Sequence, residues 1–325
     1  MSEAAIKAPE YSTPPCAQTR ELVLPEDCAG LRLDQALARC LPEFSRARLQ
    51  AWVEAGRVLV DGAGARARLR LRGGERVSVS VEPEVAVGED RPQAMDLSVV
   101  HEDGHLLVLD KPAGLVVHPG AGNREGTLLN ALLARAPELR LVPRAGIVHR
   151  LDRQTSGLMA VARTPEAATA LVRQLQARSV SRVYHAVVHG RLTAPGTVDA
   201  PVGRHPTQRT RMAVTPRGRE ARTHYRPLAG GSGWTLVECR LDTGRTHQIR
   251  VHMQHLGHPL VGDPVYRGGS RLGSGAAAFA AGDRQSLHAV SLSLDHPSSG
   301  ERLRWDSALP ADLRQLLHIL ETTCP

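Results

Sequence analysis

The sequence predicts an α+β protein in two parts, a small domain over residues 20–82 and a larger mixed domain over 95–325. Three observations carry this reading. Helical and strand periodicities both occur, but without the regular alternation that builds a doubly wound parallel sheet. In the first part, two amphipathic helical stretches come before short strand stretches. Between the parts lies Glu82–Pro92 (EPEVAVGEDRP), acidic and Pro-containing, so a linker is expected over 83–94.

Taken in order, residues 1–19 are polar and Pro-containing and read as a disordered tail. Leu33, Leu37, Cys40 and Leu41 recur at helical spacing, and Pro42 stops that helix. Ser45 is placed to cap a second helix carrying Leu49, Trp52 and Val53, and Gly56 falls at its C-terminal cap. Val58–Val60, an Asp61-Gly62 turn and the alternation Val77, Val79, Val81 follow as strands. The larger domain opens with Leu106–Leu109, a turn at Lys111–Gly114 and Leu115–Val117. Further strands are expected over Leu158–Val161, Val183–Val188, Thr235–Leu241 and Leu287–Leu294, and helices over Leu128–Ala136, Pro165–Ala177 and Thr246–Leu256. Gly268–Gly282, rich in Gly, Ala and Ser, reads as a surface loop.

Hydrophobic residues make up 42% of the chain and aromatics 3%, so core volume must come from Leu, Val and Ala. The net charge of +8 comes almost entirely from arginine, Lys7 and Lys111 being the only lysines. A basic balance points to a polyanionic partner. A GC-rich genome also favours arginine over lysine, but does not account for clustering. Residues 45–80 hold eight arginines, Arg46, Arg48, Arg68 and Arg70 among them, against Glu54, Asp61 and Glu75. Arg66, Arg68, Arg70 and Arg72 alternate and share a face if that stretch is extended, as a phosphate-binding stripe or as a charged edge strand that blocks aggregation. A second cluster, Gly203–Arg226, holds seven arginines, Arg209 and Arg211 among them, against Glu220, and reads as a projecting hairpin suited to RNA backbone contacts.

Five scattered cysteines, none in a Cys-x-x-Cys pair, argue against a disulfide framework and a cysteine zinc site. The N-terminal stretch carries Glu3 and Glu10 and no apolar segment, so no secretory signal is expected, and no 18-residue apolar run predicts a membrane helix. A cytoplasmic monomer is the expectation. His247, His252, His255 and His258 lack the carboxylate spacing of a metal motif, so no metal is expected.

Two segments carry candidate chemistry. His149–Gly157 (HRLDRQTSG) crowds polar residues into a loop between core strands, a common place for a site. Asp152 within it either acts chemically or caps its own turn. Leu241–Arg250 (LDTGRTHQIR) runs from a strand into a helix and puts Arg245 at the helix N-terminus, where a cation opposes the dipole. Arg245 therefore faces an anion, either a carboxylate or a phosphate, or is exposed to solvent.

These residues resemble the RluA-type pseudouridine synthases. HRLDRQTSGLMAVART is similar to that family's catalytic motif, LDTGRTHQIRVHMQHLGHPLVGD to a later one, DKPAGLVVHPG to its opening motif, and RVYHAVVHG to the segment bearing its active-site tyrosine. Residues 20–82 resemble the αL RNA-binding domain that precedes the catalytic domain in many members. MAVTPRGREARTHYR and RQSLHAVSLSLDHP resemble segments of members acting on large-subunit ribosomal RNA. The resemblance covers roughly residues 20–320.

It implies a mixed, largely antiparallel sheet in the catalytic domain and the isomerisation of uridines in 23S ribosomal RNA or a pre-50S particle, at the stem-loop of the intersubunit bridge. It implies Asp152 as the catalytic carboxylate, Tyr184 stacking on the target base, Arg245 pairing with the carboxylate, and no cofactor. His149 and Arg150 are expected to contact RNA. Gln154 stands where an acidic residue is more usual, which bears on RNA specificity. A non-catalytic ribosomal RNA-binding factor and a small-sugar glycosidase are the competing functions; a glycosidase needs two facing carboxylates and has no use for an arginine-rich hairpin.

Overall fold

In the computed structural model, the described residues are 18–81 except 43 and 45, 91–267 except 121, 209 and 210, and 284–323. The expected tail over 1–17, the core of the linker, the cap at Ser45 and the loop at 268–282 lie outside them. The chain divides into two compact units, residues 1–85 and 86–325.

The first unit contains β1 (Gln18–Val23), α1 (Leu33–Cys40), α2 (Arg46–Glu54), β2 (Val58–Val60), β3 (Ala63–Gly64) and β4 (Arg76–Val81). Its antiparallel sheet runs β1-β4-β2-β3. Leu33, Leu37, Leu49 and Trp52 from the helices bury against Val58, Val77 and Val79 from the strands. Gln18 and Thr19, expected in the tail, are strand residues paired with Val81 and Ser80.

The stretch carrying Arg66, Arg68, Arg70 and Arg72 is not a strand. Its backbone instead clamps the approach to α1: Leu33 N–H donates to Leu69 O, Asp34 N–H to Ala67 O, and Leu71 N–H to Leu31 O. Ala67 and Leu71 are thereby drawn into the core, and all four arginines are left exposed. Arg46 turns to the buried Asp34, giving Nη2–Oδ2 2.7 Å, and Arg32 pairs with the same carboxylate. Arg70 donates to Gly30 O at 2.6 Å. Nothing is described for the Arg48 side chain.

The second unit is built on a nine-stranded sheet. In chain order its strands are β5 (Ser98–Glu102), β6 (Leu106–Lys111), β7 (Ser156–Ala162), β8 (Ser181–His189), β9 (Gly196–Asp199), β12 (Arg222–Gly231), β13 (Trp234–Leu241), β14 (Leu287–Asp295) and β15 (Arg302–Asp306), while β10 (Val202–Arg204) and β11 (Met212–Val214) form a separate hairpin. The order across the sheet is β5-β6-β7-β14-β8-β13-β12-β9, with β15 on β14. Every pairing is antiparallel except β7 with β14.

The apolar runs in β6 and β7 follow from burial on both faces. Leu107, Leu109, Met159 and Val161 pack with Leu128 and Leu132 of α3 (Leu128–Arg135). Leu106, Val108, Leu158 and Ala160 pack with Ala167 and Leu171 of α4 (Pro165–Gln176). Thr127 caps α3 and Thr164 caps α4, each side-chain oxygen accepting a backbone N–H of the first turn. The last helices are α5 (Gln248–His255) and α6 (Ala311–Thr323), the latter burying Leu316 and Leu320 beside Trp234 and Val261.

The arginine-rich segment 203–226 is not one hairpin. Only β10 and β11 form it, while Arg222 and Arg226 belong to β12, inside the main sheet. Val202 of the hairpin packs with Ala221, Val251 of α5 and Tyr266, which fixes the hairpin against that helix.

Candidate active site

The parallel contact of β7 with β14 is two residues long, His288 beside Ser156 and Ala289 beside Gly157. It brings the backbones unusually close. Gly157 has φ +112°, and a Cβ there would lie 2.3 Å from Ala289 O, so glycine is required on both counts. Ser156 Oγ sits 2.8 Å from His288 Nδ1 and accepts from Arg284 Nη2 at 2.8 Å, while Gln285 donates to Thr155 Oγ1 at 3.0 Å. The loop that precedes β7 is thus pinned to the β14 side.

The opening segment of the domain pins the same loop from the other side. Lys111, 1% exposed, donates to the carbonyls of Pro112, Leu115 and Arg153 at 2.7, 3.0 and 3.1 Å. Gly114 N–H donates to Arg153 O at 2.8 Å. Leu151 is buried beneath, and Thr155 N–H closes a turn onto Asp152 O at 3.0 Å. A turn held this firmly leaves Asp152 little freedom, with its carboxylate 17% exposed in a cleft of about 610 Å³.

Asp152 Oδ2 accepts from Arg250 Nη1 at 3.0 Å, and His247 Nε2 stands 3.9 Å from Oδ1. Arg250, on the first turn of α5 and 5% exposed, is itself gripped by Asp263: Nε donates to Oδ2 at 2.7 Å and Nη2 to Oδ1 at 2.9 Å. Asp263 Oδ1 also accepts from the N–H groups of Val265 and Tyr266. Burial pushes the Asp263 carboxyl up, but Arg250 and those two N–H groups outweigh it and hold it below its ordinary value. The guanidinium lies 5.0 Å from the Tyr266 ring centroid. Tyr266 Oη accepts from Met212 N–H at 2.9 Å and meets His247 Nδ1 at 2.9 Å, so the hairpin backbone is tied to the group beside Asp152. Burial lowers the His247 imidazole below its ordinary pKa.

Tyr184, on β8, lines the same cleft and is 6% exposed, and burial raises its phenol. It shares its strand face with Arg182 two residues earlier. Asp152 and Tyr184, the two residues that the resemblance singles out, therefore line one cleft.

Arg245 is not the partner of Asp152. It lines the cleft, but its Nε donates to Glu220 O at 3.0 Å, and the carboxylate's guanidinium comes from Arg250. The helix starts two residues later than its apolar spacing implies, because His247 has φ 56° and reverses the chain before α5. That turn sends Arg245 and Arg250 to different partners. The signal for Arg250 was a charge flanked by Ile249 and Val251 in a buried helical turn, a placement that requires a counter-charge.

Of the expected RNA contacts, Arg150 is exposed on the cleft rim. His149 also lines the cleft, but its Nε2 accepts the N–H of Ala160 at 2.9 Å and so is occupied in holding β7. Arg211 stacks 5.4 Å from the Tyr266 centroid and donates to Gln208. Arg209 lies outside the described residues. His252 places its two ring nitrogens on Thr223 Oγ1 and Ala200 O, a structural position. Among the described residues no group of three or more metal-ligating side chains stands together.

Two family models match this chain, one described as RNA pseudouridylate synthase over residues 105–255 and one as S4 domain over 31–77. Among curated proteins, ribosomal large subunit pseudouridine synthase D of Xanthomonas campestris pv. campestris is 54% identical over 316 residues, 96% of this chain and 95% of the relative. The protein of that name from Pseudomonas aeruginosa is 52% identical over 93% of this chain and 95% of its own length, and that from Escherichia coli K12 is 50% identical over 91% and 92%. Among solved structures, human RNA pseudouridylate synthase domain containing 4 aligns with TM-score 0.55 and 26% identity over 69% of this chain and 93% of that one. Its counterpart, domain containing 1, aligns with TM-score 0.52 and 27% identity over 71% and 97%. An S4 domain followed by this nine-stranded sheet and cleft, with such identity along nearly the whole chain, makes the chain a member of the RluA-type RNA pseudouridine synthase family.

Proposed function

We propose that this enzyme isomerises uridines to pseudouridine in large-subunit ribosomal RNA, with Asp152 as the carboxylate that acts at ribose C1′. The substrate reading rests on the relatives, named as ribosomal large subunit pseudouridine synthases, and on the basic surface of an S4 domain. The observation that carries the assignment of Asp152 is its partly open carboxylate, paired with Arg250 in a cleft that also holds Tyr184.

The isomerisation breaks N1–C1′, turns the uracil and joins C5 to C1′; the C5 proton is lost and N1 gains one, so composition is unchanged and no redox partner is needed. Charge deficiency develops at C1′ when the glycosidic bond breaks, and a fixed carboxylate beside it stabilises or captures that centre. Arg250 orients Asp152 toward the cleft, and its own fixation by Asp263 removes the need to reorganise during the reaction. Tyr184 offers an aromatic face to the uracil and a hydroxyl at the cleft floor. The target base must leave its stack at a cost of a few kcal/mol, least in a loop, which favours the stem-loop at the intersubunit bridge as the target. The S4 domain's exposed arginines and Arg150 at the rim offset that cost through phosphate contacts.

No described helix is long and apolar enough to cross a membrane. A cytoplasmic site of action, on 23S ribosomal RNA or its precursor particle, fits the substrate.

The test is Asp152→Asn. Tritium release from 5-tritiated uridine in ribosomal RNA should fall by on the order of 10⁴-fold, while binding and thermal stability stay near those of the parent. Turnover close to that of the parent would remove Asp152 from its role. Mapping pseudouridines in ribosomal RNA from a strain lacking the protein tests the stem-loop assignment.

A further inference from the structure

Arg182 is buried to 8% exposure, yet it pairs with no carboxylate among the described residues. Among the described residues its one hydrogen bond is a long one, from Nη2 to the backbone oxygen of Asp242 at 3.4 Å, and its Nε finds no acceptor there. A buried guanidinium so poorly satisfied is unfavourable unless an anion completes it.

Its surroundings deepen the deficit. Arg178, Arg182, Arg219 and Arg245 all line the cleft beside the loop that joins β13 to α5. Glu220 answers Arg178 at 2.7 Å, and Asp242 directs its carboxylate to His224 at 3.1 Å. Among the described residues Arg245 commits only Nε, to a carbonyl, leaving its two terminal nitrogens for another acceptor. Burial, with Arg219, Arg178 and Arg182 close by, lowers the Arg245 pKa. Gly244 keeps this arrangement open, since a Cβ there would stand 2.7 Å from Arg182 Nη1. Arg182 also shares the strand face of Tyr184, so an anion held by it sits beside the residue that meets the base.

We propose that Arg182 and Arg245 form a phosphate subsite in the cleft, which takes a backbone phosphate adjoining the target nucleotide. This rests on the reading of the cleft as the uridine site and adds to it how the flipped nucleotide is held. The two arginines bracket the phosphate, Arg182 from the floor and Arg245 from the loop, while Asp152 remains free for the sugar. The subsite also accounts for a guanidinium in the loop before α5 that pairs with no carboxylate among the described residues.

The test is a cycle of protein and RNA changes. The probe is a synthetic stem-loop of large-subunit ribosomal RNA that the parent protein modifies, with the linkage 5′ or 3′ of the target uridine replaced, one at a time, by a neutral methylphosphonate. One replacement should weaken binding by the parent about tenfold. Arg182→Gln and Arg245→Gln should each weaken binding of the unmodified RNA by about the same factor, and then be indifferent to that replacement. Losses that simply multiply, or a parent indifferent to both replacements, overturn the subsite. Thermal melting checks that Arg182→Gln folds; should it not, Arg245→Gln, only half-buried, carries the cycle alone. The cycle reads binding, so its failure with a modified RNA leaves the uridine reading standing, whereas failure to modify any such RNA defeats both.

Discussion

Arg250 reaches Asp152 across 98 positions of sequence, with Nη1 3.0 Å from Oδ2, while its other two nitrogens are spent on Asp263. The guanidinium thus serves one carboxylate that is fully buried and one that is partly exposed in the cleft. Removing it harms both. Arg250→Ala should cost about 3–5 kcal/mol of stability, because the Asp263 side chain, 0% exposed, is left uncompensated. Activity should vanish as well. Pairing Arg250→Met with Asp263→Asn should recover part of the stability in urea titrations but none of the tritium release. Recovery of turnover in that double variant would show that Asp152 needs no guanidinium.

Gly157 sets the distance between β7 and β14 beneath the site. With φ +112° and Ala289 O at 2.3 Å from any Cβ, alanine there is strained by its backbone and by contact. Gly157→Ala should lower stability by about 2–4 kcal/mol and reduce turnover, since Thr155 and Ser156 hold the Asp152 loop through the same junction. Urea denaturation measures the first effect; a loss within experimental error would mean that the two strands can part without consequence.

His149 gives a pH signature. Burial, with the charge of Arg182 adding to it, pushes the imidazole down to about 3, and its Nε2 must stay unprotonated to accept the N–H of Ala160. In the unfolded chain the ring titrates near its ordinary value of about 6.5. The unfolded state therefore binds the extra proton first. The stability this histidine contributes is fully present above about pH 6.5 and is lost as pH falls toward about 3. His149→Gln removes that titration and keeps an acceptor. Its stability should decline less steeply than that of the parent between those limits, and parallel curves would show that the ring is freely protonated in the fold.

The strands that flank the cleft were legible for a physical reason. β6, β7, β8, β13 and β14 lie in the interior of the sheet, where burial on both faces of β6 and β7 writes apolar runs into the sequence. β15, Arg-rich and alternating, lies off the main path of the sheet, and its outward charges hid its strand character. In β12, Pro227 sits at a bulge, and the arginines before it read as part of a projecting hairpin. Asp152 and Tyr184, which the family resemblance singles out, line one cleft. The Arg250 pairing was not legible, because it depends on a left-handed turn at His247 and on an acceptor, Asp263, that no spacing rule connects to either residue. The arginine stripe at 66–72 was right in its exposure and wrong in its backbone, since Ala67 and Leu71 are anchored in the core by irregular bonding to the approach of α1.

That stripe yields the last prediction. Arg66, Arg68 and Arg72 are exposed, so replacing all three by glutamine leaves the core of the first unit intact. If they bind phosphate, a variant that neutralises fewer phosphates also releases fewer condensed counterions. The slope of log K against log salt should become shallower by roughly 0.7–0.9 per phosphate, about 2 units for the triple variant, with weaker binding at low salt. Turnover at saturating RNA should hardly change, because the stripe belongs to the first unit and the catalytic groups to the second. Filter binding over a range of salt concentrations measures the slope. An unaltered slope would leave the stripe as a solvated charged surface that takes no part in holding RNA.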